Sequence, residues 1–320
     1  MKNSLKKIVL STLLLLLPLT GCSTTEETNK SNANDSTELI VATFNIDNKT
    51  PEISVESQRE LLSEAGVEVY GIQEVFQNTK RYEIRDNYDP LVDFQKDPYK
   101  SSYFGESVPF GGGGYGNAII SKYNLSQTSV TQLYGTETAP ADLQKQFLEI
   151  YNNVDYKDED SIQEFKSVWR DGGLVAQGAI EPRSYSRAVF EKDGKEIAFY
   201  VTHLSVESFD VRTKQLDELK TALDNDTVEY KIIVGDFNTD YGINEYNIFK
   251  DSYKLANGNN GVWYETMAEE DEARNSLDTS LRVKFLDNVI VSNNMDIKDV
   301  KVIETDLSDH YPLVVRLILK

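Results

Sequence analysis

Asp236 and Asn238 stand two residues apart, just after the β-branched run Ile232-Ile233-Val234 and the interrupting Gly235. The run reads as a buried strand. In extended backbone, side chains at i and i+2 point the same way. A carboxylate and an amide would therefore project together from a rigid strand end. That pair suits a hard metal ion, a water nucleophile or a phosphate oxygen. Taken alone, Gly-Asp-Phe-Asn reads better as a turn, because Gly, Asp and Asn are common turn residues. The other polar residues of the chain shift that balance.

Asn45, Glu74, Asp287 and Asp309 also lie in or beside apolar strand patterns. A polar group placed there costs free energy unless it has a partner. Six such placements, counted with Asp236 and Asn238, point to one polar site. The chain has two histidines, His203 and His310, each at the edge of a strand. Oxygen donors of this kind suit Mg²⁺, with Mn²⁺ or Ca²⁺ also compatible. Two histidines and one cysteine make a closed structural zinc site a poor reading.

The elements that must position these residues are mostly strands. Strands are expected at 39–46, 67–75, 117–121, 186–190, 197–204, 231–236, 285–292 and 313–319, several of them ending in one of the polar residues above. Helices are expected at 54–65 and 210–223. Lys192-Asp193-Gly194-Lys195 marks a hairpin. Residues 80–116 read as loop, ending in the glycine-rich 111–116, taken as a mobile loop. It is no dinucleotide fingerprint, since a strand and not a helix follows. Residues 136–170 read as an insertion holding two short helices. Residues 252–282 read as a long loop with the acidic run Glu269-Glu270-Asp271-Glu272 on a solvated surface.

The N-terminal 1–21 read as an export signal, with Lys2, Lys6 and Lys7 before an apolar run too short to span a bilayer comfortably. Leu19-Thr20-Gly21-Cys22 looks like a bacterial lipobox, in which Cys22 is lipidated and anchors the chain to a membrane outside the cytoplasm. Residues 22–37 read as a lipidated Cys and polar tether, and 38–320 as one domain. The only cysteine being used for lipid, no disulfide contributes to stability. The formal net charge of −20 repels polyanions at long range.

In the order Thr-Phe-Asn45-Ile, Gln-Glu74-Val, Gly-Asn117-Ala-Ile-Ile-Ser, Thr-His203-Leu, Gly-Asp236-Phe-Asn238, Leu-Asp287-Asn-Val and Ser-Asp309-His310, the chain resembles the endonuclease/exonuclease/phosphatase superfamily. The resemblance runs from about 38 to 320. It implies an α/β fold of two packed, mainly antiparallel sheets flanked by helices in four layers. It also implies that Glu74, with Asn45 and Asp309, holds a divalent ion. Asp236 would orient or deprotonate water, or help to bind a second ion. Asn238 would hold a phosphate oxygen, and Asp287 would fix the tautomer of His310. His310 would contact the phosphate or act as general base, and His203 would serve the phosphate or leaving oxygen. Asn117 and Arg187 are further candidates for phosphate contact. The expected activity is hydrolysis of a phosphoester, with nucleic acid preferred slightly over a phospholipid or sugar phosphate. A binding lipoprotein without catalysis is the competing class. No protein partner is implied.

Overall fold

The computed structural model describes residues 37–47, 51–81, 87–135, 140–239, 243–268 and 285–320. Contacts divide the chain into Met1–Asp35 and Ser36–Lys320, and everything described below lies in the second unit. The expected leader, Cys22 and nearly all of the tether lie outside the described residues, as does the acidic run at 269–272.

Two six-stranded sheets carry the fold. The first has the order β11-β12-β1-β2-β4-β3, built from Met295–Val302, Leu313–Leu319, Thr37–Asn45, Val69–Gln77, Gly113–Ser121 and Ser101–Phe110. The second has the order β5-β6-β7-β8-β10-β9, built from Ser126–Gln132, Ser184–Lys192, Lys195–His203, Tyr230–Asp236, Asp287–Ser292 and Tyr253–Leu255. Each sheet holds one parallel pair, β1–β2 and β7–β8; its other pairings are antiparallel. A parallel pair needs a crossover. Helix α1 (Pro51–Glu64) supplies one and α5 (Phe209–Asn225) the other.

The layering follows from the two-residue period of the strands. Val41, Val69 and Ile119 point between the sheets, where they join Phe199, Ile232, Val234 and Val289. Their neighbours Ala42, Tyr70 and Ile120 point outward into a core shared with Leu62 of α1. On the second sheet, Tyr200, Ile233 and Ile290 point outward against Leu216 and Leu219 of α5. Central strands are therefore buried on both faces, as near-continuous apolar runs must be. The result is the expected four layers.

Residues 80–116 depart from the loop reading. They contain α2 (Pro90–Phe94), β3 and the start of β4. The glycine run is the turn and first residues of the β3–β4 hairpin: Gly111 and Gly112 have φ of 52° and 78°, and Gly113 is paired with Phe110. Helix α1 begins at Pro51, three residues before its expected start at 54. The insertion does hold two helices, α3 (Ala141–Asn153) and α4 (Glu159–Ser167).

At Gly71 the sheets approach closely: a Cβ there would lie 2.5 Å from Val234 Cγ2 and 2.6 Å from Val201 Cγ2. Gly71→Ala is expected to lower stability by about 1–3 kcal/mol through overpacking. Urea unfolding of wild type and variant measures it; equal midpoints would mean that the sheets can part without loss.

Candidate active site

The register of the second sheet assembles half of the site. Asp236 is paired with His203 across β7–β8 and with Asp287 across β8–β10. All three are the terminal polar residues of their strands at one sheet edge. The first sheet supplies Asn45, the last residue of β1, and Glu74 near the end of β2. Asn45 joins the halves: its Nδ2 donates to Glu74 Oε1 at 3.0 Å and to Asp236 Oδ2 at 3.1 Å. Only an N–H₂ can face two carboxylates in this way, which leaves Asn45 Oδ1 as an acceptor that also takes the Asp47 amide at 3.2 Å.

Local backbone aims these groups. The β2–β4 register shifts between Ile72 and Val75, and Glu74 has φ 63°. Such a bulge re-aims a side chain. Asn238 has φ 48°, and its amide donates to Asp236 Oδ1 at 2.9 Å, so the turn reading of Gly-Asp-Phe-Asn holds locally. Its Nδ2 donates to Leu204 O at 2.9 Å, and a carboxamide keeps a second N–H for the site. Ser308 Oγ ties the last loop to Asn45 O at 2.7 Å and accepts the His310 amide at 3.0 Å. That loop brings Asp309 and His310 to the cluster.

His310 Nδ1 lies 2.8 Å from Asp287 Oδ2, and its Nε2 lies 3.6 Å from Asp236 Oδ2. Burial opposes the charged imidazolium, but Asp287 and Asp236 outweigh it and push the group up to about 10. His203 Nε2 is 3.5 Å from the same Asp236 oxygen. Burial raises Asp236, with His310 opposing and Asp287 adding. Burial and the charge of Asp309 push Glu74 up to about 7, against its hydrogen bond to Asn45.

Donor atoms of Asp236, Asp287 and His310 lie within 4.8 Å of one another. Both nitrogens of His310, however, face carboxylates, which favours a proton on each over a metal bond. The oxygen set of Glu74, Asn45 and Asp309 fits a hard cation better. Burial first, and then the charge of Asp309, raise Glu74, so a divalent ion beside it would offset both. The buried Asp287 Oδ1 has no hydrogen-bond partner and is a further acceptor at the site.

Two expected phosphate contacts fall differently. Asn117 Nδ2 donates to Ser184 O at 3.2 Å, fastening β4 to the start of β6. Arg187 lies outside the cluster. It sits in mid-strand opposite Tyr200 and makes a two-pronged pair with Asp226, at 2.7 and 3.1 Å. Among the described residues, a buried cation at the level of the His203 strand end is Arg183, two residues before Tyr185, which is paired with Thr202. It is 4% exposed, its Nη2 is 2.9 Å from Glu181 Oε1, and its Nε and Nη1 have no hydrogen-bond partner. Burial opposes its charge, but Glu181, Glu207, Tyr115 and Glu74 keep the guanidinium protonated.

The chain matches the family model described as endonuclease/exonuclease/phosphatase over residues 42–310. An endonuclease/exonuclease/phosphatase from Bacteroides vulgatus has the same fold, with TM-score 0.57 and 18% identity over 89% of this chain and 100% of that one. A mannosyl-6-phosphatase from Bacteroides thetaiotaomicron superposes with TM-score 0.54 and 17% identity, covering 87% of this chain and 99% of that one. TDP2 from D. rerio, complexed with a single-strand DNA product, gives 0.55 and 14%, covering 88% and 99%. Comparison with curated proteins found no match.

The raised His310 has a consequence for stability. Its contribution is fully present below the unfolded value of 6.5 and is lost as pH rises towards 10. Urea unfolding between pH 6.5 and 10 is expected to show this decline in wild type and a weaker one in Asp287→Asn. Identical slopes would remove Asp287 as the group holding the proton.

Proposed function

This chain belongs to the endonuclease/exonuclease/phosphatase family, and on that premise we propose that it is a divalent-metal-dependent phosphoesterase. The observation that carries the reading is the bridge from Glu74 through Asn45 to Asp236, backed by the Asp287–His310 pair. It puts an oxygen-donor set, a buried carboxylate and a charged imidazolium around one point.

Glu74, Asn45 and Asp309 would hold the ion. When bound, the ion would neutralise charge on the phosphoryl oxygens and on the leaving oxygen. The protein groups divide the remaining work. His310 is charged at neutral pH, so of its two expected roles the structure supports contact with the phosphate, its Nε2–H donating to a phosphoryl oxygen. Asp287 accepts the other ring proton, on Nδ1, and so keeps the ring charged and oriented. Asp236 lines up the attacking water and accepts its proton; its Oδ2 lies between the two histidines, 3.5 Å from His203 Nε2 and 3.6 Å from His310 Nε2. His203 serves the leaving oxygen from the other side of Asp236. Asn238 and Arg183 add N–H donors for the phosphate, a form of electrostatic stabilisation that counts for more in a buried site.

A nuclease was the first expectation because nucleases are common among the proteins resembled. The formal net charge of −20 weighs against a long polyanion and in favour of a small phosphoester. The proposed setting is outside the cytoplasm, with Cys22 lipidated. The leader and the lipobox-like Leu19-Thr20-Gly21-Cys22 alone support this.

Hydrolysis of p-nitrophenyl phosphate and bis-(p-nitrophenyl) phosphate tests the activity. Release of nitrophenol is expected with Mg²⁺ or Mn²⁺, lost on chelation, and reduced by about 10²–10⁴-fold in His310→Ala. Equal background rates for wild type and variant on both esters would defeat the reading. Location is read separately by fractionating cells that express wild type or Cys22→Ser. Membrane association is expected only for wild type, and equal partitioning of the two would rule out the lipid anchor.

A further inference from the structure

The insertion builds a cavity of about 190 Å³ against the β3–β4 hairpin. Tyr151 of α3, Phe165 of α4 and Trp169 just beyond it face Phe110 and Tyr115 of the hairpin across this space. Two charged groups reach it, Arg81 and Glu181. The phosphoesterase reading assigns no task to this space.

The cavity adjoins the catalytic cluster through Glu181. One oxygen of that carboxylate is 2.9 Å from Arg183 Nη2, and the other accepts the Tyr151 hydroxyl at 2.8 Å. Arg183 keeps two buried nitrogens, Nε and Nη1, with no hydrogen-bond partner. The cavity residue Tyr115 is paired with Phe76, two residues beyond Glu74, and Arg183 stands two residues before Tyr185, which is paired with Thr202 beside His203. A phosphate gripped by Arg183 would thus carry its substituent towards the aromatic walls.

The shape of the walls selects that substituent. Phe110 meets Tyr151 at 87° and Phe165 at 83°, and Tyr151 meets Phe165 at 57°. Crossed rings make a box, whereas a planar base stacks best in a slot with parallel faces. A quaternary ammonium would suit a box. But the Arg81 guanidinium already lies over Phe76 and Tyr156, at 4.6 and 4.8 Å from their centroids, and takes the place of a second cation on those two faces. An acyl chain is too long for the volume and would leave Glu181 without a polar partner from the ligand. A compact, neutral, hydroxylated ring meets each condition. Its C–H faces lie on aromatic rings, and its hydroxyls donate to Glu181, whose two oxygens have lone pairs to spare.

We propose that this cavity is a subsite for the sugar ring of a sugar phosphate whose phosphate is held at Arg183. The assignment rests on the phosphoesterase reading and narrows it to a substrate class. The insertion then acts as the specificity element, and Trp169, 42% exposed, stands at the mouth.

The test compares phosphate release, with Mg²⁺, from a hexose 6-phosphate, glycerol phosphate, phosphocholine and a nucleoside 5′-monophosphate. Wild type, Trp169→Ala and Phe165→Leu are compared, with folding of each checked by circular dichroism. The hexose phosphate is expected to exceed glycerol phosphate by about tenfold in kcat/KM, mostly through KM, and both variants are expected to erase most of that ratio. A ratio unchanged in the folded variants would overturn the subsite. So would a Trp169-dependent preference for phosphocholine or the nucleotide. If none of these monoesters is hydrolysed, the phosphoesterase reading is judged on the two p-nitrophenyl esters, and calorimetric titration with the hexose 6-phosphate decides the subsite. Binding lost in Trp169→Ala supports it, and absence of binding to wild type overturns it.

Discussion

A carboxylate that is 2% exposed needs partners, and Asp236 finds them on both sheets. Asn45 reaches it from the first sheet, while His203 and His310 flank it from the strand and loop on either side. The other features of the site depend on meeting this need. The sheets must lie close enough for one carboxamide to span them, and Gly71 permits that approach. The strands β7, β8 and β10 must end in register, and their pairing ensures that they do. The loop carrying His310 must be fastened down, which Ser308 and Gln58 do through Asn45 O, Ile46 O and Leu307 O.

Left-handed backbone, found in several turns of the fold, also occurs beside this acid. Glu74 and Asn238 both occupy positive φ, a conformation that typically costs a non-glycine residue about 1–3 kcal/mol. Neither of these two residues improves the core. They are intelligible if the return is a fixed direction for a carboxylate and a carboxamide. The same holds for Glu74, kept near neutrality by burial and by Asp309. A fold selected only for stability would put an apolar residue there.

Much of this was legible in the sequence, and the parts that were not share a cause. The central strands β1, β2, β4, β6, β7, β8, β10 and β12 announce themselves as apolar runs because they are paired on both sides and covered by other layers. The edge strands β3, β5, β9 and β11 do not. Strand β5 is exposed along its whole length, and β3 and β11 alternate poorly. With one edge unpaired and a face in solvent, nothing forces an apolar pattern on them. The polar residues at the ends of central strands stood out for the opposite reason, since they break a pattern that burial imposes. Arg187 and Arg183 show what pattern alone misses. The Asp193-Gly194 turn sets the hairpin register, so Tyr185 faces Thr202 and Arg187 faces Tyr200. Counting back from that turn puts Arg183 level with the His203 end and Arg187 in mid-strand. The signal lay in the register arithmetic, not in residue type.

The central claim is that a divalent ion belongs with Glu74 and Asn45, while Asp287 and His310 hold a proton. Anomalous diffraction from crystals soaked in Mn²⁺ tests it most directly. The account predicts a peak against the Glu74 carboxylate and Asn45 Oδ1. A peak lodged only between Asp287 and His310, or none at saturating Mn²⁺, would contradict it.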